Sequence, residues 1–116
     1  MHKMMLIFRR LGDTIKMEEH WSQEFVPLAE KMPGLRRIAV SRIKERPDGI
    51  VDTHMIHELF FDDLQAARDA MVSEEGQAAG RALMSFASGR VSIYLAEHRE
   101  DDWPLKHRSG EKHTQP

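Results

Sequence analysis

The chain contains no cysteine, which excludes a disulfide framework, a thiolate-bound zinc, an iron–sulfur cluster and a cysteine nucleophile, and makes a reducing, intracellular compartment the default. Excess charge of one sign is also missing. Lys and Arg number 17 against 19 Asp and Glu, a formal net charge of −2, so no global basic field draws in nucleic acid or an anionic membrane. With seven Gly and five Pro in 116 residues, the composition is neither collagenous nor low-complexity. Long hydrophobic runs are absent too: the segment from Met1 to Arg10 is too short and too soon charged for a signal peptide or a membrane span. A soluble, cytoplasmic, single-domain protein with neither membrane nor nucleic-acid partners is expected. No Gly-rich phosphate loop or nucleophile elbow is present.

What the sequence does contain is an alternation of strand and helix patterns over residues 1–98, followed by a polar tail over 99–116 whose one apolar cluster is Trp103, Pro104 and Leu105. Lys3 to Arg10 reads as a strand, and Asp13 or Thr14 caps a helix. Met17, Trp21, Phe25, Leu28 and Met32 then fall on one stripe of a 3.6-residue period. Pro27 interrupts that stripe and predicts a kink or a tightened turn, and Pro33-Gly34 stops the helix. Leu35 to Ile43 and Val51 to Phe61 read as strands joined through Lys44 to Gly49, pairing antiparallel. Asp62-Asp63 caps a second helix through Leu64, Ala67, Ala70 and Met71. The run Ser73 to Gly76 breaks it before Gln77 to Ala87. Val91 to His98 alternates as a last strand, with Val91, Ile93 and Leu95 on one face and Ser92, Tyr94, Ala96 and His98 on the other.

The order is β-α-β-β-α-β, an α+β chain of ferredoxin-like topology with an antiparallel sheet and both helices on one face. A monomer would leave the other face in water, yet Met4 to Phe8 is apolar at both parities. The third strand likewise carries Ile56 and Phe60 on one side and Met55, Leu59 and Phe61 on the other. The helices can cover only one face. A homodimer of sheets packed face to face covers the second, with a greasy pocket mouth as the competing explanation.

Four segments then carry a resemblance: Glu18-Glu19-His20-Trp21 with Val26-Pro27-Leu28, Met32-Pro33-Gly34-Leu35-Arg36-Arg37, Glu58-Leu59-Phe60-Phe61-Asp62-Asp63, and Ser73-Glu74-Glu75-Gly76-Gln77-Ala78-Ala79. In this order, over about residues 3–98, they resemble the EthD family of dimeric α/β-barrel proteins. The resemblance implies a ferredoxin-like subunit that dimerises through its sheet into a barrel, with a ligand cavity between sheet and helices. The family's founding context is the oxidative degradation of an alkyl ether, and similar barrels include cofactor-free monooxygenases, muconolactone-type isomerases and polyketide cyclases or dehydratases. One departure is visible. Many EthD-like sequences carry a histidine two residues before the helix proline, where this chain has Phe25.

His54 and His57, in Asp52-Thr53-His54-Met55-Ile56-His57-Glu58, have a separation that serves metals on a helix. On a strand it places them on opposite faces unless a bulge intervenes, so no metal site is expected. By parity His54 shares a face with Glu58, a pairing that would make a base with an orienting carboxylate; the plainer alternative is an edge histidine beside a structurally paired glutamate. Tyr94 and His98 share a face of the last strand, where Tyr94 could donate to a substrate oxygen, and Arg9 or Arg10 could anchor an anion. His20 lies beside the buried Trp21 and could look into a cavity. Arg36, Arg37, Arg42, Lys44 and Arg46 form a basic stretch broken by acids and without interleaved aromatics, which favours a solvated hairpin over an RNA surface.

The expected function is therefore binding of a small organic molecule (a ring, ether or lactone) and its oxidative catabolism without a tightly held cofactor or metal. His54, His57, Glu58 and Tyr94 are the candidate catalytic residues, and His20, Arg9 and His98 the candidate substrate contacts. The alternatives are a cofactor-free isomerase, cyclase or dehydratase working by His/Glu proton transfer, and a non-catalytic ligand-binding or accessory barrel.

Overall fold

A computed structural model describes residues 1–101 of the chain; the expected docking of Trp103, Pro104 and Leu105 lies outside the described residues. Strands β1 (His2–Arg9), β2 (Arg37–Arg42), β3 (Thr53–Phe61) and β4 (Val91–Glu97) form one antiparallel sheet in the order β2-β3-β1-β4. This is the ferredoxin-like topology expected from the element order. The helices α1 (Thr14–His20), α2 (Val26–Ala29), α3 (Leu64–Val72) and α4 (Glu74–Ala87) pack on one face.

Period two sorts each strand into that face and an open one. Met4, Leu6 and Phe8 of β1, with Met55, Leu59 and Phe61 of β3, are buried under Met17, Trp21, Phe25, Ala67, Ala79 and Leu83 of the helices. The opposite parity, Met5 and Ile7 beside Ile56 and Ser92, belongs to the open face, with Tyr94 opposite Met5. Phe60 is buried on that open face too. The guanidinium of Arg37 sits 4.3 Å from its ring centroid and the His98 ring meets it edge-on at 4.8 Å. Glu100 ties Arg37 and His98 together.

Three local expectations need correction. Pro27 does not tighten the helix. A π-helical segment, Trp21–Phe25, opens the turn before it, with the Val26 N–H reaching back to the Trp21 carbonyl, and Pro27 lies in the first turn of α2. Proline cannot donate to the preceding turn, and the widened turn absorbs the mismatch. The break after α3 is also narrower than Ser73 to Gly76. Ser73 alone is extended, its Oγ accepts from the Gly76 N–H at 3.0 Å, and Glu74 and Glu75 already lie in the first turn of α4, where its N-terminal partial charge favours them. Strand β2 is shorter than expected at both ends, and β3 starts later but ends at Phe61 as expected.

Gly76 explains how α3 and α4 meet at so sharp a joint. A Cβ built there would lie 2.0 Å from the Ala70 carbonyl oxygen and 2.7 Å from that of Met71, both backbone atoms. Gly76→Ala should therefore destabilise the fold by about 2 kcal/mol or more, since overpacking against backbone commonly costs 1–3 kcal/mol. Urea denaturation of the two proteins measures this, and an unchanged midpoint would contradict the close approach.

Candidate active site

Glu18, His54 and Arg42 come together although they lie on α1, β3 and β2. On β3, Met55 pairs with Phe8 and Thr53 with Arg9, so His54 is an extra residue, a bulge opposite a single step of β1. The bulge turns the His54 side chain toward the helices, where its Nε2 lies 2.7 Å from Glu18 Oε2. Arg42, register partner of Met55, grips the same carboxylate through Nε at 3.1 Å and Nη2 at 2.9 Å. Hydrogen bonds from Arg42 first, and from His54, hold the Glu18 carboxyl below the usual carboxylate range against the opposing effect of its partial burial. The guanidinium of Arg42 also stands 5.8 Å from the Trp21 ring.

These groups line an open cleft of about 390 Å³ together with Thr14, Ile15, Glu19, Trp21 and Ser22. Behind Trp21 lies His57, fully buried. The indole Nε1–H donates to His57 Nδ1 at 3.1 Å, so the imidazole proton resides on Nε2. Trp21 and Phe25 meet the His57 ring edge to face at 5.3 and 5.9 Å. Burial among these rings pushes the His57 pKa down to about 4, leaving a neutral imidazole at any ordinary pH. Two buried ring nitrogens here have no partner in the protein: His57 Nε2, a donor, and His54 Nδ1. If His54 Nε2 carries the proton shared with Glu18, His54 Nδ1 is an acceptor. Phe25 and Leu6, the register neighbour of His57, belong to a second, apolar cavity of about 200 Å³ under α4.

The remaining sequence candidates go elsewhere. Glu58 does not orient His54; it lies on the open face and bonds Lys3 at 2.6 Å, so the parity argument failed at the bulge. Tyr94 and His98 do share a face, the open one: Tyr94 is exposed and His98 packs on Phe60. His20 lines neither cavity; it stacks on Phe86 of α4 and bonds Glu24 at 2.6 Å. Arg9 is spent on the Gly89 carbonyl, where it holds the turn into β4. Among the described residues no group of three or more metal-ligating side chains occurs, and no helix is long and apolar enough to cross a membrane.

Sequence reading missed Glu18 and Arg42. Glu18 flanks the buried stripe one turn before Trp21, which is a usable signal. Nothing in the sequence couples Arg42 to it, because that contact depends on the β2–β3 register.

No family model matches the chain. A solved structure of an ethyl tert-butyl ether D (EthD) family protein from Bacillus halodurans C-125 is 30% identical, covers 85% of this chain and 99% of its own, and superposes with a TM-score of 0.81. An uncharacterized 11.0 kDa protein of Rhodococcus erythropolis, from the thcB–thcC intergenic region, is 26% identical over 97 residues, 84% of this chain and 94% of that protein. Two more distant structures share the fold alone. A dimeric ferredoxin-like protein of unknown function from Jannaschia sp. CCS1 has 16% identity, 84% and 98% coverage and a TM-score of 0.61. SnoaB, a cofactor-independent oxygenase from Streptomyces nogalater, has 15% identity, 87% and 94% coverage and a TM-score of 0.60.

The buried, neutral His57 makes a pH prediction. Its folded pKa of about 4 lies below the ordinary 6.5, so the folded chain binds fewer protons than the unfolded one between these values. The associated stability is complete above pH 6.5 and is lost as pH falls toward 4, on the order of 3 kcal/mol across the window. Urea-unfolding free energies from pH 7 to 4 should fall less steeply in His57→Gln than in the wild type; parallel slopes would contradict the assignment.

Proposed function

Because the chain belongs to the EthD family, we propose that it acts on a small organic molecule in oxidative catabolism by proton transfer at His54, without a tightly held cofactor. The observation that carries this reading is the Glu18–His54 pair, 2.7 Å apart on the wall of the cleft, with His54 Nδ1 left without a partner in the protein. With its proton on Nε2 and shared with Glu18, His54 presents Nδ1 as a base. It takes a proton from an acidic C–H or O–H of the substrate and becomes an imidazolium. The Glu18 carboxylate 2.7 Å from its other nitrogen stabilises that charge and fixes the ring. His57, buried and neutral behind Trp21, takes no part in the proton transfer; by accepting the indole Nε1–H it fixes Trp21 as a wall of the cleft. Arg42 keeps Glu18 ionised. The substrate anion then passes electrons to dioxygen, a step compatible with the cofactor-independent oxygenase SnoaB sharing this fold. If it is reprotonated at another carbon instead, the same residues perform an isomerase, cyclase or dehydratase step.

We further propose that the working unit is a homodimer joined through the open sheet face. Met5, Ile7, Ile56 and the exposed Tyr94 supply an apolar surface that no helix covers, and a relative of the same fold is dimeric. In this arrangement Tyr94 and Glu58 serve the interface rather than the proton transfer.

Turnover is measurable on a panel of small ring lactones, ketones and phenols, by dioxygen uptake and by exchange of solvent deuterium into acidic C–H positions. His54→Ala should lose roughly 10²–10⁴-fold, the usual worth of a positioned base, with an unchanged circular dichroism spectrum. Glu18→Gln should lose less and displace the acidic limb of the pH–rate profile. Full activity in a folded His54→Ala protein would end the proposal. Sedimentation equilibrium should give a dimer that Ile7→Glu weakens at least tenfold; a wild-type monomer would refute the face-to-face assembly.

A further inference from the structure

Helix α4 contains two interior glycines four residues apart, and only one of them has a packing reason. Gly76 is forced by the carbonyls of α3. A Cβ at Gly80 would meet no atom within 4 Å, although glycine in a helix interior is less stable than alanine by roughly 0.5–1 kcal/mol. The space a side chain would occupy there belongs to the apolar cavity of about 200 Å³ between α4 and the sheet, lined by Met4, Met32, Met71, Leu83 and Ile93 among others. Ile93 and Met71 are both left 40% and 39% exposed at this cavity.

We infer that Gly80 is a specificity-determining residue: its missing side chain keeps this cavity open for a compact apolar molecule. The volume suits a single small ring or a branched alkyl group, since cavities of ~150 Å³ lined by aliphatic side chains accept benzene. Three methionines among the walls allow the space to adapt to shape, because the unbranched thioether chain repacks readily. The one amide at the cavity, that of Gln77, already donates to the Val72 carbonyl at 2.9 Å, so the walls offer little to a charged ligand and select for apolar surface. The cavity is separated from the polar cleft by the rings of Trp21, His57 and Phe25, and the inference does not depend on proton transfer at His54.

The test is titration of the whole chain with toluene, followed by ¹³C-methyl NMR of the methionines. The methyl resonances of Met4, Met32 and Met71 should shift and saturate, while that of Met5, on the open face, stays still. Gly80→Ala should raise Tm by roughly 2–6 °C and weaken toluene binding. Gly80→Leu should abolish the shifts in a protein that remains folded, and His54→Ala should bind toluene as the wild type does. Should Gly80→Leu fail to fold, Ile93→Trp fills the same space from β4 and should abolish the shifts in its place. Absence of saturable shifts in the wild type, or shifts that persist in a folded filled variant, would overturn the inference.

Discussion

One extra residue in a central strand organises the site. In an uninterrupted β3, His54 would face away from the helices and its ring could not reach α1. The bulge between Thr53 and Met55 reverses it, and the imidazole meets Glu18 while His57, three residues on, keeps its regular inward direction. Two histidines that alternation would separate therefore address the same side of the sheet. Bulges are suited to this because they re-aim a side chain without ending the strand.

Charge and burial then divide the labour between those rings. Glu18 is partly exposed and bonded by both Arg42 and His54, so its ionised form is favoured despite some loss of hydration. His57 has no charge partner and sits among Trp21 and Phe25, where an imidazolium would be unsolvated. The π-helical segment supplies both aromatic walls: Trp21 and Phe25 stand at its two ends, one turn apart, and both rings meet His57. The missing N–H of Pro27, two residues beyond Phe25, accounts for the widened turn.

The sheet's second face carries a different logic. Phe60 is shielded within the chain by Arg37 and His98, and Lys3 and Glu58 neutralise each other in a nearly buried pair. Met5, Ile7 and Ile56 on the same face are half-buried beside Ser92, and Tyr94 is exposed. Water-facing sheets ordinarily alternate toward polar residues, and the proposed homodimer would cover this face. On the helix side, close approach at Gly76 and open space at Gly80 show the same residue type doing opposite things within one helix.

The element order, the buried stripe of the first helix, the antiparallel pairing of β2 with β3 and the apolar character of both sheet faces were legible in the sequence, because each follows from local periodicity or turn chemistry. So were His54 and His57 as residues of interest. The pairing of His54 with Glu58 was not borne out, since a bulge shifts parity by one and leaves no compositional mark. Glu18 and Arg42 stayed invisible as partners because their contact joins α1 to β2 across 24 residues. Periodicity reports which side of its own element a residue occupies; only register and packing between elements decide which side chain it finds there.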